Sequence, residues 1–184
     1  MKTFSNIKEY DNKKSVVTIG TFDGVHIGHK KILERIIFNA KELNCESVVL
    51  TFFPHPRMVL QDNSVVQLLN TVDEKTILLE KTGIDNLIIH PFNQEFSRLT
   101  AEEFVKEILL NQLNIRKIII GYDHRFGRNR TANINDLIVF GKEYGFEVEQ
   151  ISAQEINDNA VSSTKIRNAI LAGNITLANN YLGY

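Results

Sequence analysis

The sequence holds one cysteine, almost no net charge and no long apolar run. Each shortage excludes something. The single cysteine, Cys45, rules out an intrachain disulfide framework and the usual multi-cysteine zinc sites. Lying between a helix and a strand, it reads as a small buried hydrophobe. The balance of 21 Lys+Arg against 22 Asp+Glu leaves a formal net charge of −1, so no general nucleic-acid-binding face is expected. No stretch approaches the roughly 18 apolar residues of a membrane span. The opening MKTFSNIKEYDNKK is polar and lacks a signal-peptide core. Neither an internal repeat nor a low-complexity segment is found. A cytoplasmic protein, with no membrane or nucleic-acid partner, is the expectation.

What is present fits one globular domain. At 184 residues, 43% hydrophobic and 23% charged, the chain can bury a sizeable core. Strands are expected at about 15–20, 47–53, 85–92, 117–123 and 146–151, the last alternating like an exposed edge. Helices are expected at about 28–43, from Thr71 or Asp73 to Lys81, after Thr100, at 135–144, from Ser162 to Leu171, and at 175–182. Thr100 with Glu103 forms a capping-box signature. Residues 1–14 read as a lead-in, 58–70 as a loop and 152–160 as a polar connector. Five strands alternating with helices predict an α/β fold with a mainly parallel sheet and helices on both faces. Such sheets bind ligands outside the carboxyl ends of their strands.

The residues capable of chemistry fall at those ends. The stretch VVTIGTFDGVHIGHKKILERII, 16–37, runs from a buried strand through Gly20, Asp23 and Gly24 to His26 and His29 at a helix start. Their spacing places both rings on one face of the first turn, either side of Gly28. Free N–H groups and the positive end of the helix dipole make that place an anion site. His55 follows the second strand and His124 the fourth, whereas His90 reads as a strand-end histidine satisfied by a neighbour. In GYDHRFGRNRTAN, 121–133, Gly121 permits close approach, Asp123 is an acceptor at the rim and Phe126 can stack or pack. Arg125, Arg128 and Arg130 offer planar forks suited to phosphate. In VSSTKIRNAI, 161–170, the hydroxyls are helix caps first, and Arg167 lies one turn after Ser163.

These motifs, GTFDGVHIGH, TFFPHP, GYDHRFGRNR and SSTKIR, resemble in order those of the FMN adenylyltransferase module of bacterial bifunctional riboflavin kinase/FAD synthetases, within the HxGH nucleotidylyltransferase superfamily. In the third motif His124 and Ala132 stand where that family often has Phe and Gly. The resemblance implies a Rossmann-like nucleotidylyltransferase fold over 1–184, using ATP with Mg²⁺ and FMN to make FAD and pyrophosphate. It implies catalysis by His26, His29 and Arg167, and ATP binding by Gly20, Thr21, Phe22, Asp23, Gly28, Gly121, Ser162, Ser163 and Thr164. Flavin binding is implied for Pro54, His55, Pro56, Asp123, Arg125 and Phe126. Ser163, Thr164 and Arg167 are expected to hold pyrophosphate, and Asp23 to orient a ligand hydroxyl or the Mg²⁺ shell; no protein metal site is expected. The family's linked riboflavin kinase domain is expected beyond Gly183. Two other functions compete: an HxGH adenylyl- or cytidylyltransferase with another acceptor, and a non-catalytic flavin or nucleotide binder. The loops 58–70 and 124–133 are expected to move on binding.

Overall fold

The first strand lies where the sequence reads as a lead-in. In the computed structural model, which describes residues 1–60, 66–152, 155 and 161–184, β1 (Lys2–Phe4) joins the sheet edge by backbone pairing. A 3-10 turn (Ile7–Glu9), β2 (Ser15–Ile19), α1 (Ile27–Glu42), β3 (Glu46–Phe53), α2 (Pro56–Leu60), α3 (Val72–Glu80) and β4 (Asn86–Pro91) follow. Next come α4 (Gln94–Ser97), α5 (Ala101–Glu103) running on as a π-helix (Phe104–Gln112), β5 (Ile115–Gly121) and a 3-10 turn (Arg128–Arg130). The chain continues through α6 (Ile134–Tyr144), β6 (Glu147–Ile151), α7 (Ser163–Leu171) and α8 (Ile175–Leu182).

The sheet is parallel with order β1-β4-β3-β2-β5-β6, six strands rather than the five expected. All of β2 is buried, as its apolar run requires of a central strand. β6 is the other edge, in keeping with its alternation. Side chains alternate between two cores. Val17, Ile19, Val48, Leu50, Ile118 and Ile120 pack with the π-helix residues Phe104, Val105, Ile108 and Leu109. Val16, Val49, Leu87 and Ile119 pack on the other face with Ile32, Leu33, Ile36 and Ala40 of α1 and Leu79 of α3. The chain winds outward from β2 through β3 to β4, then returns to β5 beside β2. The switch point therefore lies at the carboxyl ends of β2 and β5.

Capping sets several boundaries. Thr71 rather than Asp73 caps α3, in a capping box with Glu74, and Thr100 forms its box with Glu103. Part of the expected loop at 58–70 is helical, because Pro56 opens α2 at the position where a missing N–H costs nothing. Residues 61–65 of that loop, and 153–154 and 156–160 of the later connector, lie outside the described residues. Cys45 is half-buried at the margin of the second core rather than inside it, its thiol donating to the Leu43 carbonyl at 3.4 Å. His90 Nδ1 accepts the Ile7 N–H at 3.3 Å and its ring packs on Phe96, so a neighbour does satisfy it.

Candidate active site

The turn after β2 is held by side chains from four other places in the fold. The Thr21 carbonyl accepts from Lys75 Nζ of α3 at 2.8 Å and from Thr51 Oγ1 of β3 at 3.2 Å. The Asp23 carbonyl accepts from Ser163 Oγ of α7 at 3.0 Å, and the Gly24 carbonyl from the Tyr184 hydroxyl at 2.9 Å. A trans peptide points its N–H opposite its carbonyl, so these anchors also fix where the N–H groups of the turn face. Gly24 has φ +84°, and a Cβ there would meet Leu69 at 2.7 Å. Val25, β-branched, is held at φ 35°, an uncommon conformation that the surrounding packing imposes.

The carboxylate of Asp23 is buried and fully engaged. One oxygen accepts the Leu69 N–H at 2.9 Å and the other bonds Arg167 Nη2. Arg167 Nε donates in turn to the Gln67 carbonyl at 2.6 Å. Two of the five guanidinium N–H donors are thus committed to protein. Asp23 and Arg167, expected to act separately, thus hold each other in place.

His26 is the N-cap of α1, its Nδ1 accepting the His29 N–H at 3.4 Å. That bond turns the Nδ1 lone pair toward the backbone of α1. The His29 ring stacks on His26 at 3.6 Å and 17°, and lies 5.0 Å from the ring of Phe22. Burial, then the charges of His26 and Lys75, hold His29 well below the usual histidine range. Its Nδ1 is buried with no hydrogen-bond partner among the described residues, an orphan that a ligand would satisfy. Gly28 is a glycine for space: a Cβ would meet His26 Nδ1 at 3.2 Å and Val161 at 3.3 Å.

The remaining expected residues divide. Ser162 caps α7, its hydroxyl accepting the Lys165 N–H at 3.3 Å, while Thr164 is exposed. His55 belongs to the same neighbourhood: burial lowers its pKa, and Asp23, Lys75 and Arg167 all act on it. It sits between Pro54 and Pro56, with its Nδ1 accepting the Arg57 N–H at 3.2 Å. Gly121 ends β5 beside Ile151, and Asp123 and Arg125 are exposed on the loop that follows. Phe126 turns into the core instead, 5.8 Å from Phe104, and its backbone bridges to Ala132. His124 stacks on Phe126 at 6.2 Å; burial, then Arg130, lowers it to about 4.

Sequence reasoning missed Lys75, Thr51 and Tyr184. Only Lys75 left a signal, one turn before the buried Leu79 on the inner face of α3. Among the described residues, no group of three or more His, Cys, Asp or Glu is arranged to hold a metal ion, and no helix is long and apolar enough to cross a membrane.

The chain matches relatives of known name. It is 40% identical to the bifunctional riboflavin kinase/FMN adenylyltransferase of Buchnera aphidicola subsp. Schizaphis graminum, over 97% of this chain and 57% of that protein. It is 35% identical to the same-named protein of Haemophilus influenzae, over 91% of this chain and 54% of that one. The chain thus spans little more than half the length of these relatives. A crystal structure described as a macrolide-efflux protein from Streptococcus pneumoniae superposes with a TM-score of 0.82 at 28% identity, over 99% of this chain and 59% of that one. The sequence profile of the FAD synthetase family matches residues 8–165, which include the histidine pair, Asp23, Lys75 and the start of α7. By that match the chain belongs to the FAD synthetase family.

Proposed function

We propose that this chain transfers AMP from ATP to FMN, giving FAD and pyrophosphate. The observation that carries the reading is the stacked His26–His29 pair at the start of a 16-residue helix, beside the Asp23–Arg167 pair. A phosphate oxygen of FMN attacks the α-phosphorus of ATP. The bond from that phosphorus to the bridging oxygen breaks, and pyrophosphate leaves. No protein nucleophile takes part. The work is positioning and the stabilisation of charge on phosphate oxygens.

Each group in the site has one task. His26 holds the start of α1 through its Nδ1 and stacks under the His29 ring. His29, kept neutral, donates without a charge that water would otherwise solvate. The dipole and N–H groups of the α1 start favour the anion. Arg167, steadied by Asp23, faces the departing pyrophosphate with its uncommitted N–H donors, aided by Thr164. Mg²⁺ enters as part of the ATP substrate, since it keeps waters and prefers substrate phosphates to an all-protein cage. FMN lies against the Pro54-His55-Pro56 segment and the loop bearing Asp123 and Arg125. The linked riboflavin kinase domain that the relatives' names imply is the source of FMN.

Two variants separate architecture from chemistry. His26→Asn keeps a capping acceptor and His26→Ala does not. Both are expected to lose turnover alike, while only the alanine variant loses about 1 kcal/mol of stability. Urea melts beside rate measurements check this; full turnover in His26→Asn would show that the ring only caps. In Gly28→Ala the new methyl must push the His26 ring by a few tenths of an ångström. Alanine's better helix propensity, up to about 1 kcal/mol, offsets that strain in stability. The expected result is an almost unchanged melting temperature and a turnover reduced about tenfold.

The reading is tested by supplying FMN, ATP and Mg²⁺ to the purified chain and following pyrophosphate. FMN-dependent release supports it. Release only with a different phosphate acceptor makes the chain a sister transferase, and FMN binding without release makes it a binder.

A further inference from the structure

Lys75 is the one buried lysine or arginine among the described residues. Burying an ammonium costs several kcal/mol unless something compensates. Burial lowers its pKa, and Asp23, the acidic group that partly offsets this, is itself bonded to Arg167 and the Leu69 N–H. Its bond is to a neutral oxygen, the Thr21 carbonyl, at 2.8 Å. That carbonyl belongs to the turn leading from β2 to the histidine pair. A charge kept in so unrewarding a place is a sign of use.

We propose that Lys75 is a positioning residue for adenylyl transfer, fixing the Thr21–Phe22 peptide that sets the Phe22 ring against His29. The proposal rests on the adenylyl-transfer reading. It follows from peptide geometry. Lys75 and Thr51 converge on one carbonyl, so the plane of that peptide cannot rotate, and the Phe22 N–H is held facing away from Lys75. Phe22, at φ 47°, carries the ring packed 5.0 Å from His29. Movement of this peptide therefore reaches the histidine directly. Burial first, then His26 and Lys75, hold the His29 pKa low, so the charge of Lys75 acts in the same direction as the packing.

The test compares wild type with Lys75→Met and Thr51→Val. Methionine matches the length of lysine without the charge, and Thr51 Oγ1 still donates to the Thr21 carbonyl that Lys75 leaves. In Lys75→Met, kcat for pyrophosphate release is expected to fall about 10–100-fold, the range for groups that orient a contacting residue. The KM for FMN should not change. With no substrate present, the His29 ring signals in a proton NMR spectrum should shift, because the Phe22 ring packed 5.0 Å from them is no longer held in place. Thr51→Val removes the other anchor, so it should lower kcat several-fold and move the same signals. A Lys75→Met protein with wild-type kcat, or with unmoved His29 ring signals, overturns the proposal. So does Thr51→Val at full kcat, which decides the matter even if Lys75→Met fails to fold. If wild type releases no pyrophosphate with FMN, the function reading fails, and the NMR comparison still judges whether Lys75 holds the Thr21–Phe22 peptide.

Discussion

Replacing His29 by alanine is expected to cut turnover by about 10²–10³, the loss seen when one preorganised donor to a developing oxyanion is removed. Stability should barely move, because two opposing terms nearly cancel. The variant loses the ring contacts with His26 at 3.6 Å and Phe22 at 5.0 Å, worth about 0.5–1.5 kcal/mol. It also removes a buried, unpartnered Nδ1 whose desolvation costs about 1–3 kcal/mol. A buried ring nitrogen without a partner is what the proposed donor role of His29 requires. Steady-state rates and urea melts of the two proteins side by side check this. Near-full turnover in His29→Ala would remove the histidine from the chemistry.

The second large effect belongs to the Asp23–Arg167 pair, and it falls on stability first. The Asp23 side chain is 2% exposed and that of Arg167 19%, so neither charge can be left alone cheaply. Truncating the arginine, as in Arg167→Gln, strands the carboxylate in the interior with the Leu69 N–H as its remaining hydrogen bond among the described residues. Breaking a buried pair this way costs about 3–5 kcal/mol, a large share of the 5–15 kcal/mol that typically holds a domain together. Arg167→Gln should therefore melt far below wild type as well as losing turnover. The double variant Asp23→Asn, Arg167→Gln should be more stable than the sum of its parts, because no orphaned charge remains. A coupling of about 0.5–3 kcal/mol is expected from that cycle. Additive losses would mean that the two groups do not depend on each other.

The contrast between these residues shows what the sequence could reveal. His26 and His29 are three apart, so their meeting on the first turn of α1 is a local matter of helix geometry. Arg167 and Asp23 are 144 residues apart, and nothing local marks them as partners. The resemblance named both as ligand residues without hinting that each occupies the other. Elements divide in the same way. The apolar positions of α1 and the unbroken run of β2 declared themselves because burial imposes a period. β1 did not, since three residues paired through their backbone at an edge need no pattern. The π-helix at Phe104–Gln112 was hidden as well, because Phe104, Val105, Ile108 and Leu109 suit an α-helix equally. The resemblance implies a flavin contact for Phe126, whose ring the structure packs in the core against Phe104. An aromatic residue in a motif can be there to hold the loop as easily as to meet the ligand.

The central claim is that AMP moves from ATP to the phosphate of FMN at the histidine pair. ATP labelled at its α-phosphorus, incubated with FMN, Mg²⁺ and either wild type or His29→Ala, tests it most directly. The label should enter FAD with the wild-type protein, in step with release of unlabelled pyrophosphate, and enter about 10²–10³ times more slowly with His29→Ala. Label that remains in ATP with the wild-type protein, or that enters FAD equally fast with both, would contradict the claim.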